Sequence, residues 1–244
     1  MTRVIDGSRA AAQIRGMRAA HDPVRAEMIR VCRRMSDRGF VSGWAGNVSA
    51  RLGPDRYLLT PSGVPKSDVT EADLIVVDGS GRVTEGAPGR RPTSELPMHL
   101  CAYRLRPDVA AVVHAHPVHA VALSVVGSAL SKHYVPEAIV MLGPIAVTPY
   151  ATPSTDENER VVAAVVEDHD AIVLRAHGSL TVGSTLAEAW LRLETLEHAA
   201  RIVTLIEQSG GGPELDEAAV AKLVAQRARL GLLRGPRAAA AAPR

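Results

Sequence analysis

From Pro23 onward the apolar positions Val24, Met28, Val31, Cys32 and Met35 recur at intervals of one helix face, and Gly39 marks the end of that helix. The period then shortens. "NVSARL", "RYLLT" and "DLIVVD" have the length and bounding residues of strands, and a "GSG" turn leads into a fourth at "RVTEG". "TSELPMHLCAYRLRP" returns to helical spacing, with Thr93 or Ser94 as its expected cap and Pro107 as its stop. "VAAVVHAH" predicts a strand and "VHAVALSVVG" a helix, followed by strands at "AIVML" and "IAVTPY". "STDENERVVAAVVEDH" predicts a capped helix, and "AIVLRA" a buried strand that runs into "HG". "TLAEAWLRLETLEHAARIVTLIEQSG" is a long amphipathic helix with Leu186, Trp190, Leu193, Leu196, Ala200 and Val203 on one face. "ELDEAAVAKLVAQRARLG" supplies the last helix. The irregular alternation predicts a layered α/β domain with a mixed or antiparallel sheet, not a regularly doubly wound parallel one.

Composition adds boundaries. The expected organisation of the 244 residues is one domain over 23–232, a flexible or partly helical leader at 1–22 and a disordered tail at 233–244, where "RGPRAAAAAPR" is of low complexity. Hydrophobic residues make up 46%, but there are one Phe, two Trp and four Tyr, so aliphatic side chains must fill the core. The net charge of +2 is spread over scattered arginines, which excludes a nucleic-acid footprint, and no apolar run is long enough to span a membrane. A soluble, cytoplasmic protein is expected. Cys32 and Cys101 lie on predicted helices among apolar neighbours and are expected to be reduced thiols.

Candidate chemistry begins at "VVHAHPVHA". On a strand, residues i and i+2 share a face, so His114 and His116 project together, as two ligands of one metal must. Paired structural histidines have the same spacing. His119, beyond Pro117, is off that register and fits a helix start or a supporting role. His177 closes an apolar strand just before Gly178, where catalytic groups and hydrogen-bonded structural histidines both occur. Glu95 opens a helix, where it suits the helix dipole or serves as a further ligand or base. Three histidines and a carboxylate would suit zinc. Tight turns at Asn47, Ser62 and Gly63, with Thr93 and Ser94 at a helix start, offer N–H groups and hydroxyls of the kind that bind phosphate.

"GWAGNVSARL", "LTPSGVPKSDVTEADLIVVDGSGRVTEG", "RPTSELPMHLCAYRLRPDVAAVVHAHPVHAVALS" and "RAHGSLTVG" together resemble the class II aldolase/adducin family in order and spacing, from about Val24 to about Leu230. The likeness is strongest to its L-fuculose-1-phosphate aldolase branch. The resemblance implies a single three-layer α/β/α domain around a mixed, largely antiparallel sheet. It also implies a homotetramer with inter-subunit active sites and one zinc ion per subunit, or another divalent metal. It makes His114, His116 and His177 metal ligands, Glu95 both ligand and catalytic acid/base, and Tyr134 a catalytic residue that reaches a neighbouring subunit. It assigns the substrate's phosphate to Asn47, Ser62, Gly63, Thr93 and Ser94. The implied reaction is metal-assisted cleavage of a ketose 1-phosphate to dihydroxyacetone phosphate and an aldehyde.

Two departures concern the aldehyde end. Pro153 stands in "YATPST", where the fucose-type enzymes carry an aromatic residue, and about Leu230 stands where they carry a tyrosine. Related 5-deoxy-ketose 1-phosphates are therefore expected substrates too. The family's epimerases, dehydratases and decarboxylases, and the non-catalytic adducin-type heads, are the alternatives; retention of all three histidines argues against the last.

Overall fold

In a computed structural model, the structure describes residues 23–127, 130 and 132–232. The leader and tail expected at 1–22 and 233–244 lie outside these residues. Eight strands form one sheet, β1 Asn47–Gly53, β2 Arg56–Leu59, β3 Ile75–Val77, β4 Val83–Glu85, β5 Ala111–Ala115, β6 Ile145–Val147, β7 Ala171–Leu174 and β8 Gly178–Gly183. Their order is β4-β3-β2-β1-β5-β8-β7-β6. Only the β6–β7 pair is parallel; every other neighbouring pair is antiparallel. The expected mixed, largely antiparallel sheet is what forms.

Seven helices among the described residues accompany it: α1 Pro23–Asp37, α2 Leu96–Leu105, α3 Val118–Val126, α4 Pro136–Met141, α5 Asp156–Ala163, α6 Leu186–Gln208 and α7 Glu217–Arg229. Alternation along the strands distributes them into layers. Val113, Ala115, Val48 and Ala50 face α1 and α6, where Met28, Met35, Trp190 and Leu193 bury against them. Ala171 and Val173 face the other half of α6 together with α3 and α4. The opposite face, with Val112, Ile172, Leu174, Leu180 and Val182, is covered by Met98, Ala102 and Tyr103 of α2 and Val162 of α5. The predicted buried stripe of α6 is borne out in full: Leu186, Trp190, Leu193, Leu196, Ala200 and Val203 are all buried. Cys32 and Cys101 are both free and buried.

Three local expectations are corrected. "AIVML" is not a strand: Pro136 starts α4, which buries Ile139 and Val140 and packs on α6 and α7. A run of β-branched residues favours either state, and helix packing decided it. The segment after His177 is a six-residue strand of its own, β8, inside the sheet between β5 and β7. Finally, neither Thr93 nor Ser94 caps α2. Glu95 occupies the cap position, and its side chain makes no capping bond.

Candidate metal centre and anion pocket

The site lies where β1, β5 and β8 meet the start of α2. Asn47 pairs with His114 across β1 and β5, and Ala115 pairs with Ser179 across β5 and β8. His114 and His116 thus leave the sheet on one face at the end of β5, as their spacing predicts. The β7–β8 hairpin returns His177 to them. Its tip holds Ala176 at φ 56°, a left-handed conformation unusual for a residue with a Cβ, and the Ser124 hydroxyl accepts a hydrogen bond from the Ala176 N–H at 3.1 Å.

Two glycines permit this convergence. A Cβ on Gly178 would lie 2.5 Å from the Ala115 carbonyl oxygen, 2.7 Å from His116 Cδ2 and 2.9 Å from His114 Cε1. Gly46, at φ +74°, would place one 2.5 Å from Val41 Cγ1 and 3.0 Å from the His114 carbonyl oxygen. Neither position has room for a side chain.

The three imidazole rings stand 4.9 to 5.0 Å apart, centroid to centroid. His114 Nε2 lies 3.0 Å from His116 Nε2. Glu95 closes the group, with Oε2 3.2 Å from His114 Nε2 and Oε1 3.1 Å from His177 Nε2. The Ser179 carbonyl, 2.9 Å from His114 Nδ1, can only accept; it therefore fixes the proton on Nδ1 and leaves the Nε2 lone pair bare. Glu95 Oε1 is buried and has no hydrogen-bond partner. Bare nitrogen lone pairs and an unsatisfied carboxylate oxygen turned on one point fit a borderline cation such as zinc. The donor atoms of the three histidines all lie within 4.8 Å of one another.

The electrostatics agree. Burial alone would raise the Glu95 carboxyl, but its interaction with His114 and the contacts with His177 and Asn47 hold it well below the ordinary range. Burial, with the neighbouring His114 and His177, pushes His116 down to about 4. It is neutral, as a ligand must be.

Behind the cluster runs a buried chain of hydrogen bonds that the sequence reading missed. Asn47 Nδ2 donates to Glu95 Oε2 at 2.9 Å and to the Thr93 hydroxyl at 3.2 Å. Its Oδ1 therefore accepts, at 2.5 Å from His99 Nε2. That puts the His99 proton on Nε2, so Nδ1 accepts from Ser49 Oγ at 2.7 Å, and Ser49 Oγ in turn accepts from the Tyr103 hydroxyl at 2.8 Å. Every donor has one consistent direction, and the chain ends on Glu95. His99 is neutral, pushed down to about 3 by burial and the nearby His114. His99 sits four residues after Glu95, one helical turn on, which is the signal that could have found it.

In front of the cluster opens a cavity of about 330 Å³ whose walls include Gly46, Asn47, Ser62, Gly63, Thr93, Ser94, Glu95, His116 and His177. All five residues expected at a phosphate site therefore line one pocket with the metal cluster. The Thr93 hydroxyl accepts from the Glu95 backbone N–H at 3.2 Å and from Asn47 Nδ2, and the Ser94 hydroxyl lies 2.6 Å from that of Ser154. Pro153, noted above at the aldehyde end, also lines the cavity, as do Ser154, at φ 63°, Trp44 and Lys66, which were missed. Trp44 is 73% exposed at its rim. Two expected residues stay outside it. Tyr134 packs beside Leu130 and Leu142, with Lys132 Nζ 5.6 Å from its ring centre. His119 starts α3 and pairs with Glu197 Oε1 at 2.7 Å, a supporting role as expected.

The family model of the class II aldolase and adducin N-terminal domain matches residues 26–204. The L-fuculose phosphate aldolase of Methanococcus vannielii is 39% identical over 176 residues, 72% of this chain and 93% of that protein. The enzyme of the same name from Escherichia coli K12 is 34% identical over 80% of this chain and 89% of its own length. The crystal structure of L-fuculose-1-phosphate aldolase from Thermus thermophilus superposes with a TM-score of 0.66 at 32% identity, covering 79% of this chain and 98% of that one. With sheet, histidine cluster and sequence in agreement, the chain belongs to the class II aldolase/adducin family.

Proposed function

We propose that the protein is a zinc-dependent aldolase that cleaves a ketose 1-phosphate, L-fuculose 1-phosphate or a related 5-deoxy-ketose 1-phosphate, to dihydroxyacetone phosphate and an aldehyde. The observation that carries the proposal is the meeting of His114, His116, His177 and Glu95 at one end of a cavity whose other walls are hydroxyls, an amide and turn N–H groups. His114, His116 and His177 would hold zinc, with Glu95 as the fourth, labile ligand. When bound, zinc supplies Lewis-acid polarisation of the substrate's carbonyl and stabilises the charge left as the carbon–carbon bond breaks.

The chain's own residues do the rest. Asn47, Ser62, Gly63, Thr93 and Ser94 bind the phosphate and so fix the carbonyl's distance from the histidines. In the resting site Glu95 is held ionised by its histidine neighbours. Substrate that displaces it from them removes the interactions that lower its pKa and leaves burial, which raises it. The displaced carboxylate can then take up a proton from solvent and deliver it to C3 of the three-carbon fragment. The proton of the C4 hydroxyl leaves through Tyr134 of a neighbouring copy, whose phenol passes its own proton to solvent as it accepts this one; Tyr134 lies off its own chain's cavity. On this reading the active sites lie between subunits of a homo-oligomer, a tetramer.

The test is a coupled assay for dihydroxyacetone phosphate release from fuculose, rhamnulose, ribulose, 5-deoxyribulose and methylthioribulose 1-phosphates, with and without chelator. Chelator-sensitive release supports the aldolase. No release from any substrate by protein with zinc bound refutes it and moves epimerase, dehydratase or decarboxylase chemistry ahead.

A further inference from the structure

Lys66 follows the "TPSGVP" turn and is 2% exposed, yet it lines the cavity alongside Ser62, Gly63, Thr93 and Ser94. Its ammonium donates to the Val64 carbonyl at 2.8 Å. An ammonium has three hydrogens, and among the described residues the other two have no protein acceptor. Among the same residues no carboxylate lies within ion-pair distance of it. The one carboxylate in the cavity wall, Glu95, is engaged by His114, His177 and Asn47. Behind Lys66 lies Cys32, whose thiol is pushed up to about 12, chiefly by burial, and so is neutral.

A buried ammonium with a single neutral partner is an unfavourable arrangement in a resting protein, because desolvation of the charge is not offset. Burial accordingly pushes the Lys66 ammonium down from its ordinary value. Proteins retain such a cation where a ligand supplies the counter-charge. The remaining anion-binding groups of this cavity, hydroxyls and turn N–H groups, are neutral, and the Asn47 amide hydrogens already go to Glu95 and Thr93. The hydroxyls and N–H groups can orient a phosphate but cannot neutralise it. Lys66 is the one lysine or arginine among the described residues that line the cavity, set against the Glu95 carboxylate.

We infer that Lys66 is the counter-cation of the substrate's phosphomonoester dianion, a binding residue that the hydroxyl and N–H cradle requires for affinity. The inference rests on the reading of this cavity as the phosphate pocket. It gives the "TPSGVPK" turn two tasks: Ser62 and Gly63 shape the cradle, and Lys66 beneath it sets the charge. It also makes Lys66 a cost to the empty protein that the ligand relieves.

The experiment is calorimetric titration of the full chain and of Lys66→Met with inorganic phosphate, glycerol 3-phosphate and, as uncharged control, glycerol. Each is run with and without zinc, and melting of the ligand-free proteins is followed alongside. Methionine keeps the length and apolar stem and removes the charge. The expected result is at least tenfold weaker binding of both phosphates by Lys66→Met in either zinc state, no binding of glycerol, and a melting temperature equal to or above that of the unaltered chain. Phosphate affinity within twofold of the unaltered chain overturns the role of Lys66 while leaving the phosphate pocket standing. A lowered melting temperature also overturns it, since Lys66 would then be holding the Val64 turn. Failure of the unaltered chain to bind either phosphate overturns the phosphate pocket itself, and this inference with it. Loss of phosphate binding only in the zinc-loaded state would place the anion on the metal and overturn the inference as well.

Discussion

Replacement of His99 by leucine tests whether the buried hydrogen-bond chain positions the metal site or merely fills the core. His99 is buried and makes two hydrogen bonds, at 2.5 Å to Asn47 Oδ1 and 2.7 Å to Ser49 Oγ. Leucine satisfies neither, and each orphaned buried group costs about 1–3 kcal/mol, partly offset by added apolar burial. A net destabilisation of about 3 kcal/mol is expected. The diagnostic effect lies one bond further on. Without the His99 donor, Asn47 Oδ1 is left unpaired in a buried position, and the amide is no longer pinned at the orientation that sets Nδ2 2.9 Å from Glu95 Oε2. Loss of such an outer partner typically weakens metal binding about 10- to 100-fold.

Urea unfolding gives the first quantity, with the buried Trp190, packed on Phe40 at 5.7 Å, as the fluorescent reporter. Zinc competition against a chromophoric chelator gives the second. Tyr103→Phe is the control: it removes the far end of the chain, costs about 1 kcal/mol and leaves zinc affinity within about threefold. If His99→Leu loses stability but binds zinc as tightly as the unaltered protein, the chain is structural and does not reach the carboxylate. The reasoning would then be refuted at Asn47.

Gly178→Ala forces a methyl group to within 2.5 Å of the Ala115 carbonyl oxygen and between two of the histidines, and is expected to abolish zinc binding while the far-ultraviolet circular dichroism stays near native. Ala176→Gly relieves a left-handed Ala at φ 56° and should raise stability by about 0.5–1 kcal/mol in the same urea assay. Unfolding should also depend on acid in a defined direction. His99 is held down to about 3 in the folded chain, below the ordinary value of about 6.5, so the unfolded chain binds more protons in between. Its stabilising contribution is complete above about pH 6.5 and is lost as pH falls, by about 3 kcal/mol at pH 4.5. Zinc-free His99→Leu should show a correspondingly flatter acid limb.

The pattern of legible and illegible features follows from how far each depends on partners distant in the chain. The stripe from Leu186 to Val203 and the pair His114 and His116 are set by local periodicity, and both appear as expected. β8 was missed because only Leu180 and Val182 are large, alternating with Ser179, Thr181 and Gly183. Its place inside the sheet comes from pairing with β5 and β7, which no local pattern reports. "AIVML" failed in the opposite sense: its composition suits a strand, but its neighbours are α6 and α7, and Pro136 supplies the helical start. The error at Thr93 and Ser94 is the instructive one. Hydroxyls ahead of a helix are ordinarily caps; Thr93 does bond the Glu95 N–H, but local chemistry could not say that Asn47 also donates to it or that Ser94 pairs with Ser154. The cap position, Glu95, makes no side-chain capping bond of its own, and Thr93 and Ser94 line the cavity. Where a local rule fails and the group turns toward a buried charge or a cavity, the fold has traded local stability for a site. Lys66 and Glu95 follow the same logic from the charged side: each is buried at a cost that no neighbour in sequence offsets, and each lines the same cavity.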